Sequence, residues 1–416
     1  MNTAAPGKPS EIIWVVSNAL SKIDPRLIDH GKRVAYIAAK IYRESPEGQG
    51  IDLPMLSVLC VLHDIGAYKT NEIDDMVRFE TVSYYDHSLF GYLFLKNTTH
   101  LAKYAEAVLY HHTDYTAPEL EACPCAQYAK IINLADRADI LLQSEGRELS
   151  ALAALAGSKF DPLLVEALFR AEEKYDVSGR ILSGEYMDEA ERFAAQQDIP
   201  DDDVMDYLRL LVYAIDFRSP YTVTHTVDTC IISMETGKLL GLSEHELQIL
   251  YLGAFLHDIG KIAVPFDILE KPGKLTAEEF EVVKRHIPEG EQILRGVVSD
   301  EICDVALRHH EKLDGSGYSR GLRAEELSLP QRIVAVADIL SALSQRRAYK
   351  EPFPKAQVIS ILTDMKRAGQ LCPRVVDAVC LNYDSILENT ERSHDPIKQI
   401  YSDLVREYTR RRQSLL

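Results

Sequence analysis

One ordered series of metal-ligand residue types occurs twice in this 416-residue chain, once in each half. The first copy reads His30, His63-Asp64, His87, His111-His112 and Asp136; the second reads His225, His257-Asp258, His286, His309-His310 and Asp338. Successive gaps are 33, 24, 24 and 24 residues in the first copy and 32, 29, 23 and 28 in the second. Ten of the thirteen histidines belong to the two series, leaving His100, His245 and His394 outside. A lone histidine is ordinarily a core or surface residue. Seven ligand types recurring in one order require a fold that twice gathers residues from distant parts of the chain. Two domains follow, in keeping with a length beyond that of a typical single domain.

Apolar residues recur at helical spacing, as in Leu247, Leu250, Tyr251, Ala254 and Phe255, or Leu101, Tyr104, Ala105 and Val108. Alternating runs bounded by hairpin turns are few. The expected fold is all-α: two helical bundles joined by a helical connector, with domains at 1–145 and 206–395, the connector at 146–205 and a last helix or tail at 396–416. The acidic stretch Asp198 to Asp203 around Pro200 is expected to be a solvated breaker, with the second domain starting near Val204.

A formal net charge of -18 disfavours duplex nucleic acid and anionic membrane surfaces as partners, because both would be repelled at long range. A phosphate-bearing ligand would need a local positive site. Seven cysteines, an odd number scattered among apolar stretches, read as reduced thiols. No apolar run approaches the ~20 residues of a membrane span, and the polar start MNTAAPGKPS does not read as a signal peptide. A cytoplasmic protein is expected.

The stretch LQILYLGAFLHDIGK reads as a buried helix ending in His257 and Asp258, with Gly260 placed as a helix C-terminal glycine. Adjacent helical positions point about 100° apart, so both side chains can serve one dinuclear cluster. A carboxylate has two oxygens and can bridge two cations, whereas an imidazole gives one nitrogen to one ion. Asp258 is thus the natural bridge. His309-His310 repeats the adjacent pair, and His225, His286 and Asp338 supply single ligands. Imidazole and carboxylate without thiolate favour Fe, Mn, Ni or Co over a closed structural zinc site. Two such cations with open positions suit in-line hydrolysis of phosphoesters.

The run His257-Asp258-Ile259-Gly260-Lys261, then KPGKLTAEEFEVVKRHIPEG, HHEKLDGSGY and VAVAD closely resembles the HD-GYP subfamily of HD-domain phosphodiesterases over about residues 206 to 395. The resemblance implies an all-helical HD core, a di-iron or di-manganese centre and hydrolysis of a cyclic dinucleotide, chiefly cyclic di-GMP, to the linear dinucleotide and onward to GMP. It assigns His225, His257, Asp258 and Asp338 to one metal and Asp258, His286, His309 and His310 to the other. Lys261 matches the lysine aimed at the scissile phosphate, acting with Asp258 in catalysis, and Arg347 and Lys350 match basic residues that hold substrate phosphate. Other readings are a 3′,3′-cyclic GMP-AMP phosphodiesterase, a nucleotidase, or a receptor that binds a cyclic dinucleotide without cleaving it. A homodimer is a further expectation.

Three departures bear on these expectations. Tyr221 stands where three-metal members carry a glutamate, so two metals are expected in the second half. The GYP signature is reduced to Gly317-Tyr318-Ser319 and the preceding loop has Leu313 in place of tryptophan, although Gly315 and Gly317 are expected to supply positive-φ turns. The first copy keeps all seven ligand types, His30, His63, Asp64, His87, His111, His112 and Asp136, and so offers a second metal site. It has Ala67 where the second copy has Lys261 and no GYP loop after His112. A regulatory domain is expected there, with a second catalytic centre and a dimerisation or structural role as the other readings.

Overall fold

The computed structural model describes residues 12–22, 29–46, 50–67, 85–98, 100–144, 148–194, 201–216, 220–271, 273–344 and 352–392, with short pieces between 402 and 410. Among these residues no strand forms, and the only β-type pairings are three isolated bridges. Contacts divide the chain into two compact units, chiefly Lys8–Ala214 and Ile215–Arg406. No described helix is long and apolar enough to cross a membrane.

The first unit contains α1 (Ile12–Leu20), α2 (His30–Glu44), α3 (Leu53–Leu62), α4 (Tyr85–Thr98), α5 (Ala105–Leu109), α6 (Ala126–Leu142), α7 (Pro162–Tyr175) and α8 (Met187–Ala194). The division between the units falls within α9 (Asp201–Asp216). The second unit contains α10 (Pro220–Leu239), α11 (Glu244–Leu256), α12 (His286–Leu294), α13 (Asp300–Leu307), α14 (Leu329–Ser344), α15 (Lys355–Arg367), α16 (Pro373–Leu381) and α17 (Tyr383–Arg392).

Local sequence explains the central helix of each unit. Asp52 caps α3 by accepting the Met55 N–H, and Pro54 sits in the first turn, where no intrahelical N–H is needed. Its body, from Met55 to Leu62, is buried all round, as a helix without a polar stripe must be. The counterpart α11 starts at a reciprocal capping box between Ser243 and Glu246 and buries Leu250 and Leu252 to Leu256. Around them α2 packs on α3, α6 and α7, while α10 packs on α11 and α14.

Helices α7 and α8, in the expected connector, pack on α2, and α8 also packs on α3. Lys40 on α2 pairs with Glu189 on α8 at 2.6 Å. Of the acidic stretch read as a breaker, residues 198–200 lie outside the described residues, and Asp201 to Asp203 are already helical as the first turn of α9.

Gly260 differs from its expected role. It lies inside the 3-10 turn Ile259–Ala263, without a positive φ. A Cβ there would stand 1.9 Å from the His286 carbonyl oxygen and 2.5 Å from Gly290 N. Gly66 repeats the arrangement, with a Cβ meeting His87 O at 2.0 Å and Gly91 N at 2.5 Å. In both copies this glycine lets the backbone after the His-Asp pair touch the helix that carries the third histidine in its first turn.

At the end of α9, Asp216 is buried and accepts a 3.1 Å hydrogen bond from the Thr226 hydroxyl. Burial, with the Asp258 charge adding to it, pushes its carboxyl up to about 8.

Two outcomes follow from this packing. Gly260→Ala is expected to cost at least the ~1–3 kcal/mol of an overpacked core, since backbone rather than a flexible side chain must yield; an unchanged melting temperature would refute the close contact. For Asp216, the native state holds a proton that the unfolded chain releases near pH 4, so stability falls as pH rises from about 4 to about 8, by at most roughly 1.4 kcal/mol per pH unit. Asp216→Asn keeps an acceptor for Thr226 without the charge. Melting curves at fixed metal content are expected to show the variant gaining on the parent between pH 5 and pH 9, and a constant gap would show that Asp216 ionises normally.

Candidate metal centre

Each unit places its ligand series at the same points of the bundle. In the second, His225 lies on α10, His257-Asp258 follow α11, His286 opens α12, His309-His310 follow α13, and Asp338 lies on α14. In the first, His30 opens α2, His63-Asp64 follow α3, His87 is in the first turn of α4, His111-His112 follow α5, and Asp136 lies on α6. All of these residues except His112, His310 and Asp338 are buried.

The carboxylate after α11 divides its oxygens between two groups. Oδ2 of Asp258 lies 3.1 Å from His257 Nε2 and 3.7 Å from His225 Nε2, while Oδ1 lies 3.9 Å from His286 Nε2 and 4.0 Å from His309 Nε2. Asp338 joins the two sides, with Oδ1 3.1 Å from His225 Nε2 and Oδ2 3.8 Å from His310 Nδ1. Asp64 divides in the same way: Oδ2 faces His63 at 3.2 Å and His30 at 3.5 Å, and Oδ1 faces His87 and His111 at 3.7 Å each. The donor atoms of His225, His257 and Asp258, and those of His286, His309 and His310, form compact groups able to hold an ion; so do those of His30, His63 and Asp136, and of Asp64, His87, His111 and His112.

Second-layer hydrogen bonds fit these residues to metal. Nδ1 of His257, His286 and His309 each lies 2.6 Å from a backbone carbonyl oxygen, those of Ala254, Val283 and Ala306, three residues earlier. His63 and His111 do the same with Cys60 and Val108. A carbonyl only accepts, so the proton sits on Nδ1 and the Nε2 lone pair is turned inward, as a ligating imidazole requires. Nε2 of His257, His63 and His111 is buried without a hydrogen bond, as is Asp64 Oδ1. Leaving such atoms unsatisfied costs about 1–3 kcal/mol each, a cost that cation coordination removes.

In the second unit the electrostatics agree with a cation site. Burial pushes His225, His286 and His309 down, and His310 down to about 4, so these imidazoles are neutral at pH 7. Burial also lowers His257, but the Asp258 charge outweighs it. Asp258 itself is held well below the usual carboxylate range: burial pushes it up, and His257 and Lys261 more than offset this.

Lys261 Nζ donates to Asp258 Oδ2 at 2.5 Å, whereas the matching Ala67 of the first copy is buried and offers no charge. Arg347 and Lys350 lie outside the described residues, as does the side chain of Tyr221. In the degraded GYP loop, Gly315 has the expected positive φ of 81°, but Gly317 does not. It is needed for close approach: a Cβ there would stand 2.4 Å from Lys312 N and 2.6 Å from His310 O. The Tyr318 ring lies against His310, with centroids 4.6 Å apart.

Sequence reasoning passed over several residues. Glu311 is buried, and its carboxylate accepts the backbone N–H of Arg320 at 2.7 Å and of Leu322 at 2.9 Å, shaping the loop beside His310. Its position directly after His309-His310 was the available signal. Ser341 holds His225 Nδ1 at 2.9 Å and Asp139 holds His30 Nδ1 at 2.7 Å. Each stands three residues after the last aspartate of its series, on the same helix face.

Two HD domain profiles match the chain, one at residues 27–141 and the other at 210–375. The chain is 29% identical over 400 residues to 3′3′-cGAMP-specific phosphodiesterase 1 of Vibrio cholerae, covering 89% of this chain and 91% of that protein. It is 36% identical over 256 residues to 3′3′-cGAMP-specific phosphodiesterase 3 of the same organism, covering 59% of this chain and 54% of the relative. The cyclic di-GMP phosphodiesterase response regulator RpfG of Xanthomonas campestris is 42% identical over 175 residues, 41% of this chain and 46% of the relative. The solved structure of a cyclic GMP-AMP-specific phosphodiesterase of Vibrio cholerae, 22% identical, shares the fold with a TM-score of 0.58 over 91% of this chain and 98% of that one. With an HD domain in each half and the His-Asp series gathered in both, the chain belongs to the HD-domain phosphodiesterases.

Proposed function

We propose that the second half hydrolyses a cyclic dinucleotide, cyclic di-GMP first, to the linear dinucleotide and onward to GMP, and that the first half regulates it. The observation that carries this reading is the division of Asp258 between two histidine groups with Lys261 on the same carboxylate. RpfG, similar over the second half, supports cyclic di-GMP. A second reading, 3′,3′-cyclic GMP-AMP, is favoured by the relative matched across both halves, which carries that specificity in its name.

In this proposal His225, His257, Asp258 and Asp338 hold one divalent ion and Asp258, His286, His309 and His310 the other. Iron or manganese suits the thiolate-free set best, with nickel or cobalt as alternatives. When bound, the two ions supply a nucleophile at neutral pH and positive charge for the phosphate. Asp258 keeps the two groups in register, and the carbonyl-anchored imidazoles hold their lone pairs inward. Lys261, now on Asp258, would be repelled by the incoming cations and turned toward substrate phosphate, where its ammonium stabilises developing charge. Arg347 and Lys350 are assigned to hold phosphate, the local positive charge that an acidic chain needs. Its overall charge of -18 argues against duplex nucleic acid as a further ligand, and seven cysteines, none in a disulfide, fit a cytoplasmic location.

The regulatory domain is assigned to residues 1–145 and its connector to 146–205, ahead of a catalytic domain at 206–395. The packing of α7 and α8 on α2, the helix that carries His30, gives metal or ligand binding in the first bundle a route to the connector.

His257→Ala or Asp258→Ala is expected to abolish hydrolysis together with C-terminal metal binding. Lys261→Ala should retain metal while lowering turnover on the order of 10²-fold; equal metal loss in all three variants would refute that division of roles. Paired assays on cyclic di-GMP and 3′,3′-cyclic GMP-AMP, with Fe, Mn and Zn quantified in the purified chain, test the substrate, and turnover of neither overturns the proposal. His63→Ala with Asp64→Ala should change the rate or its metal response without eliminating activity, and an unaltered enzyme would refute regulation.

A further inference from the structure

The first copy departs from the second at a buried position that the proposed hydrolysis does not use. Arg137 follows Asp136, where the second copy has Ile339 after Asp338. Its side chain is buried, with Nε 3.3 Å from Asp136 Oδ2 and Nη2 3.2 Å from His112 Nδ1. A guanidinium donates hydrogen bonds and accepts none. His112 Nδ1 is therefore an acceptor, which puts the proton of the neutral ring on Nε2. That Nε2–H faces His87 Nε2 at 3.0 Å, so the His87 lone pair is taken up by His112.

The consequence falls on one of the two ligand groups. His87 and His112 spend their lone pairs on this chain of hydrogen bonds, leaving Asp64 Oδ1 and His111 Nε2 as the inward donor atoms of that group. The guanidinium also adds a fixed positive charge beside Asp136, which opposes a second cation. The other group keeps its inward donors: Arg137 Nε meets Oδ2 of Asp136, while Oδ1 of the same carboxylate faces His30 at 3.3 Å. His30 Nδ1 is bonded to Asp139 and His63 Nδ1 to the Cys60 carbonyl, so both Nε2 lone pairs are available, facing Asp64 Oδ2 and Asp136 Oδ1. In the second copy Ile339 carries no charge, and His310, the counterpart of His112, has its Nδ1 3.8 Å from Asp338 Oδ2.

We propose that Arg137 makes the N-terminal centre a one-ion site. A single divalent cation is held by His30, His63, Asp64 and Asp136, and the guanidinium stands in for the charge of a second. The two halves thus hold different nuclearities on one scaffold, whichever cyclic dinucleotide the second half cleaves.

The test uses the full chain with His257→Ala and Asp258→Ala, loaded with Mn(II), freed of excess ion by gel filtration and checked for folding by circular dichroism. One manganese per chain is expected, none after adding His63→Ala and Asp64→Ala, and two after adding Arg137→Ile instead. Electron paramagnetic resonance of the Arg137-containing chain gives a reading that does not depend on Arg137→Ile folding: an isolated Mn(II) spectrum is expected. Two ions per chain or a spin-coupled pair with Arg137 present overturns the proposal. So does a chain that binds none, or a folded Arg137→Ile chain that still holds one.

Discussion

A single carboxylate at the end of a buried helix is the constraint on which each half of this protein depends. Asp258 presents one oxygen to His225 and His257 and the other to His286 and His309, and it can do so only if three other chain segments arrive around it. The bundle is built to bring them. The C-terminal half of helix α11 is buried, α10 and α14 flank it, and the turn after it is pressed against α12 at Gly260, where no Cβ fits. The histidines then need no freedom of their own, because backbone carbonyls fix their rings.

The same scaffold serves the first half, so the differences between the halves rest on few side chains. Lys261 is replaced by Ala67, Ser341 by Asp139 and Ile339 by Arg137. The first removes the ammonium that pairs with the divided carboxylate. The second places a full carboxylate behind His30, itself paired with Arg33 at 2.6 Å. The third brings a fixed cation into the cluster. In the proposed reading, together they turn a centre suited to working on a phosphate into one suited to retaining an ion. An acidic protein can act on an anionic substrate under these conditions, since what matters is charge within a few ångströms of the phosphate rather than the net charge of the chain.

Much of the site was legible because ligand chemistry is written in residue types and order. The two series, the helical period and the His-Asp pair at a helix end are all local patterns, and each appears in the fold where the spacing put it. Gly260 and Gly317 were misjudged for a physical reason: a glycine needed for its φ and a glycine needed for its missing Cβ look identical in a sequence. Glu311 was passed over because an acidic residue beside two histidines reads as another ligand or as surface. Only the folded loop shows it accepting the N–H groups of Arg320 and Leu322.

By itself the sequence determined that this is a helical protein of two related halves, each equipped with imidazole and carboxylate ligands, and that one half alone keeps the lysine after the His-Asp pair. Those properties follow from periodicity and composition, which need no partner residue to be read. Tertiary structure decided how the ligands divide into two groups around each aspartate, which imidazole nitrogen faces inward, and that Arg137 stands against His112 rather than in solvent. The reason is that donor and acceptor roles are set by what lies across a distance of three ångströms, and residues such as Arg137 and His112 are 25 positions apart in the chain.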